Sequence, residues 1–154
     1  MKMLNRLGLL ALIGVIVVSA CDDDDETGPT DRRFTATLNG ANERPNPVTT
    51  PATGTGKFTL VGNELFVDLS YTGLQGAINN SHIHGPATTE QSIGVLVPMN
   101  NLHVGPFGTS TAGRFEGSVV LIPQHLSYLI DGLTYFNIHS ASFTGGEIRG
   151  QIVP

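Results

Sequence analysis

Three histidines are the residues of this 154-residue chain whose type and spacing best fit a chemical role. His82 and His84 are two positions apart in a segment that alternates like a strand, so both point to one face while Ile83 points to the other. His139 follows the same alternation beside Ile138. Two imidazoles on one strand and a third on another form a familiar metal geometry, and imidazole suits zinc and copper. The pattern predicts a candidate metal site.

Four further polar residues are expected near these histidines. Asn137 shares a strand face with His139, and Glu147 and Arg149 alternate with apolar residues in the last strand. If the two strands form a hairpin, the two polar sets must share a face, because a slip of one residue would put charges in the core. Glu147 is then either a carboxylate partner of a metal-bound imidazole or an ion-pair partner of Arg149. Glu43 either pairs with Arg149 or is solvated.

A purely structural role for the cluster is the competing interpretation. In it the histidines form a hydrogen-bonded network without metal, and an ion pair between Glu147 and Arg149 organises the sheet. The two remaining histidines, His103 and His125, are in poor contexts for further ligands. No Gly-x-Ser-x-Gly motif and no Walker-type phosphate loop occurs, so a non-enzymatic role is expected.

Composition excludes several classes of protein. Charged residues make up only 14% of the chain, the net charge is -5 and no basic patch occurs, which argues against nucleic-acid binding. The chain has a single cysteine. It therefore has neither an internal disulfide nor a thiolate metal cluster.

Residues 1–21 have the pattern of an export signal. Lys2 and Arg6 precede an uncharged stretch over residues 7–20, which is shorter than the ~20 residues needed to span a bilayer. The stretch ends in Val-Ser-Ala-Cys, which resembles a bacterial lipobox. In such signals the cysteine carries acyl chains such as palmitate, so Cys21 is the expected lipid attachment site.

An acidic tether is predicted over residues 22–33. Its acidic run at residues 22–26 and its lack of large apolar residues mean that it cannot bury enough surface to fold. Together the signal and the tether predict a protein that is lipid-anchored in the bacterial cell envelope. The domain is expected outside the cytoplasm, either in the periplasm or at the cell surface.

The remaining residues, 34–154, predict an all-β domain. Runs of period-two alternation are separated by glycine and proline turn signals. One helical pattern covers residues 123–131 and begins with a proline. About seven to eight strands, with one short helix before the C-terminal hairpin, predict a Greek-key β-sandwich or barrel.

Four segments of this domain carry distinctive motifs. In chain order they are Phe-Thr-Ala-Thr-Leu-Asn-Gly-Ala-Asn-Glu-Arg-Pro at residues 34–45, His-Ile-His-Gly-Pro-Ala at 82–87, Tyr-Phe-Asn-Ile-His at 135–139 and Gly-Glu-Ile-Arg-Gly-Gln at 146–151. In this order they resemble the CHRD domain family, which is named after chordin. The resemblance implies a Greek-key β-sandwich and does not imply an activity.

The sequence therefore predicts a membrane-anchored, extracytoplasmic β-sandwich that binds an unidentified protein or small ligand. Two alternatives stay open at this point. One is a zinc or copper protein, for redox chemistry or metal handling, that uses His82, His84 and His139. The other is a structural module of the cell envelope.

Overall fold

Alternation of apolar and polar residues gives each long strand a buried face and an outer face. The computed structural model describes residues 31–154. In its first strand, Phe34, Ala36 and Leu38 are buried, and the threonines between them are exposed. The same period of two recurs in the next two strands, so this part of the sheet separates an apolar side from a polar side.

Nine strands and one α-helix make up the described fold. In chain order they are β1 (Arg32–Asn39), β2 (Thr53–Val61), β3 (Glu64–Thr72), β4 (Ile78–His84), β5 (Val95–Pro98), β6 (His103–Val104), β7 (Gly113–Val120), α1 (Pro123–Ile130), β8 (Thr134–Ser140) and β9 (Ile148–Ile152).

All nine strands belong to one antiparallel sheet in the order β5-β4-β8-β9-β1-β2-β3-β7-β6. The sheet curls into a half-barrel, and its apolar face lines the inside. The curl brings Phe58 of β2 and Phe115 of β7 against Phe136 of β8, with ring centroids 6.2 and 5.2 Å apart. Strands that are distant in the sheet therefore share one core.

The register of β8 and β9 follows the predicted sharing of faces. Asn137 lies opposite Arg149, and Ile138 lies opposite Ile148. The isoleucines are fully buried on the inner side. The polar pair therefore occupies the outer face, as the sequence predicted.

The predicted all-β class is confirmed, and so is the helix that precedes the C-terminal strands. Pro123 stands in the first turn of α1, and Leu129 is buried against the core. Gly132, with φ of +69°, follows the helix and lets the chain turn towards β8. Helix α1 has eight residues, and no helix within residues 31–154 is both long and apolar enough to cross a membrane.

Two details differ from the sequence-based expectation. The ninth strand, β6, could not be predicted, because two residues are too few to show an alternation of apolar and polar side chains. Strand β1 begins at Arg32, so Arg32 and Arg33 pair with β2 rather than belonging to the predicted tether. The predicted export signal with Cys21, and residues 22–30 of the tether, lie outside the described residues.

Two loops cover the outer face of β4, β8 and β9. Residues 40–52 reach β9 through Asn42, whose side chain donates to the carbonyl of Arg149 at 3.1 Å. Residues 85–94 reach the same strand because Arg149 donates to two of their carbonyl oxygens. Asn137 and Arg149, on this part of the sheet, are therefore buried beneath loops instead of facing water.

A core substitution in β9 tests the half-barrel. Ile148→Ala should lower the free energy of unfolding by about 2–5 kcal/mol, because Ile148 is fully buried and its truncation leaves a cavity. The control Val153→Ala, at a site that is 42% exposed, should change it by less than about 0.5 kcal/mol. Urea unfolding of both variants measures the difference, and equal effects would contradict the placement of the core.

Candidate functional site

The three predicted histidines come together on the outer face of β4 and β8. These strands are antiparallel neighbours, with His82 opposite Asn137 and His84 opposite Tyr135. His139 lies two residues beyond Asn137 on the same face. The pairing therefore places the imidazoles of His82, His84 and His139 in one cluster, which is called here the three-histidine cluster.

The distances within the three-histidine cluster suit a small ligand. His82 Nδ1 and His139 Nε2 are 3.2 Å apart. One nitrogen from each of the three imidazoles lies within 4.8 Å of the other two. Tetrahedral zinc with bonds of 2.0–2.1 Å needs nitrogens roughly 3.3 Å apart. The first pair already has this separation, and no two of the three nitrogens are more than 4.8 Å apart.

Backbone carbonyls fix the orientation of two of these imidazoles. His84 Nδ1 is 2.9 Å from the carbonyl oxygen of Ile93, and His139 Nδ1 is 2.9 Å from that of Thr144. A carbonyl oxygen only accepts, so in each neutral ring Nδ1 carries the proton and Nε2 keeps the lone pair. Within residues 31–154, His84 Nε2 is buried and has no hydrogen-bond partner.

Burial keeps the cluster neutral. It lowers the pKa of His82 to about 4, and the neighbouring His139 and His84 add to the effect. Burial also lowers the pKa of His84 and of His139, although the carbonyl that each contacts opposes the shift. Neutral imidazole is the form that binds metal ions, so no proton has to be displaced at neutral pH.

An aromatic stack supports His84. Its ring is parallel to that of Tyr135 within 3°, with centroids 4.8 Å apart. On the β9 side, the guanidinium carbon of Arg149 lies 3.5 Å from the centre of the Tyr135 ring. Arg149 is only 2% exposed and donates to the carbonyls of Gln91 at 2.6 Å and Thr88 at 2.9 Å. The stack thus ties the site to the loop over residues 85–94.

Glu43 is buried rather than solvated. Its Oε1 accepts a hydrogen bond from Asn137 Nδ2 at 2.5 Å. Burial raises the pKa of Glu43 to about 7, against the opposing influence of Arg149 and Asn137. The sequence suggested that Glu43 either pairs with Arg149 or is solvated. It is not solvated, and no contact ion pair with Arg149 forms in the described part of the chain.

Glu147 has different partners from those that the sequence suggested. It is fully buried, and its Oε1 accepts from Thr50 Oγ1 at 2.6 Å and from the Gln75 amide at 2.8 Å. Among the described residues it makes no hydrogen bond to a histidine and no ion pair with Arg149. It joins two loops to β9, and the expected role of supporting an imidazole falls to the Thr144 carbonyl instead.

His103 and His125 lie outside the cluster. His103 Nε2 is 2.9 Å from the hydroxyl of Tyr71, and its ring packs among aromatic side chains. His125 is on α1. Among residues 31–154, the three-histidine cluster is the only group of three or more metal-ligating side chains that could hold an ion.

Comparison with protein families gives one match. The CHRD domain family model matches residues 34–152, which span every strand from β1 to β9 except the first two residues of β1. No curated protein and no solved structure matches the chain.

The buried carboxyl of Glu43 predicts a pH-dependent change in stability. The unfolded chain loses this proton near pH 4.5 and the folded chain near pH 7, so Glu43 destabilises the fold increasingly as pH rises between these values. Glu43→Gln should therefore be up to about 3 kcal/mol more stable than the unchanged chain at pH 8, and close to it at pH 4. Chemical unfolding across this range measures the effect.

The matched control is Asp68→Asn at an exposed position of β3, since Asp68 has no ion pair among the described residues. Its stability should run parallel to that of the unchanged chain at every pH. A Glu43→Gln variant that is less stable at pH 8 would show that the Glu43 carboxylate stabilises the fold in its charged form.

Proposed function

Because the chain belongs to the CHRD domain family, we propose that it is a membrane-anchored, extracytoplasmic binding module of the CHRD type. A lipid on Cys21 holds it in the bacterial cell envelope. The lipobox-like end of residues 1–21 and the acidic residues that follow support this placement. Attachment through two or three acyl chains is stable, whereas a single chain anchors only marginally.

The module binds its ligand at the three-histidine cluster. Four buried side-chain atoms lack a partner among the described residues, and the observation that carries this assignment is that one of them, His84 Nε2, lies in the group of three imidazoles. A buried polar atom of this kind costs free energy unless something satisfies it. His82 and His139 are only partly buried, so the cluster is open to a ligand from solvent.

The role is non-enzymatic. The buried polar groups around the cluster are engaged with the fold: Arg149 with loop carbonyls, and Glu147 with Thr50 and Gln75. Glu43 is held by Asn137. These contacts give the groups a bracing role, and they fit a site that holds a ligand rather than one that transforms it.

The lipid anchor is tested by replacing the single cysteine. Cys21→Ser should abolish labelling with palmitate and move the protein from the detergent phase to the aqueous phase, because no other thiol can be acylated. Asp22→Asn, which keeps the thiol, is the matched control and should still be labelled. A Cys21→Ser protein that still takes up palmitate and partitions into detergent would refute the anchor.

A further inference from the structure

The three-histidine cluster has more acceptor nitrogens than donors to fill them. The Nδ1–H groups of His84 and His139 both donate hydrogen bonds to backbone carbonyls. His82 can donate from Nδ1 to His139 Nε2, 3.2 Å away, which satisfies that pair. No donor in the described part of the chain then remains for His84 Nε2. A network of hydrogen bonds alone therefore leaves one buried lone pair unused.

A metal ion uses all three lone pairs at once. For this, the proton of His82 has only to be on Nε2 instead of Nδ1. No described residue forms a hydrogen bond with His82 Nε2, so nothing there opposes the change of tautomer. The proton stays on the ring, so none leaves the site. The other two imidazoles already have the lone pair on Nε2, so their tautomers need no change. Metal-binding histidines commonly donate their second nitrogen to a carbonyl or a carboxylate, as His84 and His139 do here.

The donor set indicates the class of metal. Three neutral imidazoles, without a carboxylate or a thiolate in the group, are typical ligands for late transition metals and poor ligands for calcium or magnesium. We propose that the ligand of this binding module is a zinc or copper ion held by His84 Nε2, His139 Nε2 and His82 Nδ1. This inference rests on the proposed function, because it names the ligand of the same site.

The metal is exchangeable cargo rather than a structural clamp. Structural zinc sites are four-coordinate and closed, whereas three protein ligands leave a position open for water or for a donor group of a partner. His82 and His139 are partly exposed, so this position is accessible from solvent. The core of the half-barrel is formed by other residues on the opposite face of the sheet, so the fold does not depend on the ion.

The loop over residues 85–94 positions the buried ligand. The Ile93 carbonyl accepts from His84 Nδ1 at 2.9 Å and from the Tyr135 hydroxyl at 3.3 Å, and the Tyr135 ring stacks on His84. One backbone oxygen therefore sets both the tautomer and the tilt of His84. Tyr135 and Ile93 are positioning residues, since they act on the metal only through His84.

The test uses the untagged full chain carrying Cys21→Ser, in non-ionic detergent, and titrates zinc and cuprous ions against a chromophoric chelator. This background removes the only thiol. The titration therefore measures metal binding by the histidines whether or not the natural protein is anchored. We expect one ion per chain, and the tighter of the two titrations identifies the cargo. His84→Ala and His139→Ala should each lower the affinity more than about 100-fold, since loss of a mere supporting partner already costs 10–100-fold.

His125→Ala is the matched control, because it removes an imidazole outside the cluster, and its affinity should be unchanged. Thermal unfolding of each metal-free variant establishes that it is folded, and His82→Gln replaces any variant that is not. The inference is overturned if the unsubstituted cluster binds neither ion more tightly than the His84→Ala chain does. It is also overturned if His125→Ala loses as much affinity as His139→Ala.

Discussion

The shared register of β4, β8 and β9 is the constraint on which both the core and the site depend. Along β8, Phe136 and Ile138 point into the half-barrel, so Asn137 and His139 must point out. Pairing residues directly opposite one another carries this parity to the neighbouring strands. A slip of one residue between β8 and β9 would turn Arg149 towards the core, and a slip between β4 and β8 would separate His139 from His82 and His84.

Loops cover Asn137 and Arg149 on the outer face, and their burial means that each polar group around the site needs a partner within the fold. Arg149 is compensated by two loop carbonyls and an aromatic ring, and Glu43 by the Asn137 amide and a raised pKa. Buried polar groups that are fully satisfied hold their neighbours in a single arrangement. His84 Nε2 and Glu147 Oε2 are the exceptions in this layer, and the same burial that keeps His84 neutral leaves its Nε2 without a partner.

The faces of the histidines could be predicted from the sequence, because side-chain direction in a strand follows from parity alone. Their hydrogen-bond partners could not. The oxygens that orient His84 and His139 belong to the backbone of Ile93 and Thr144, and backbone atoms leave no trace in residue type. A carboxylate on the right strand face is the usual partner of an imidazole or an arginine, so the sequence offers Glu147 for either role. Its actual partners lie in loops whose paths no local pattern specifies.

The tautomers of the histidines test the account most directly. A long-range ¹H–¹⁵N correlation spectrum of the labelled, metal-free chain at neutral pH reports which ring nitrogen carries each proton. We expect Nδ1–H rings for His84 and His139, and zinc or cuprous ions, whichever bind more tightly, should shift their Nε2 resonances while those of His103 and His125 stay in place. Protonated Nε2 atoms in His84 and His139, or a spectrum that neither zinc nor cuprous ions change, would contradict the account.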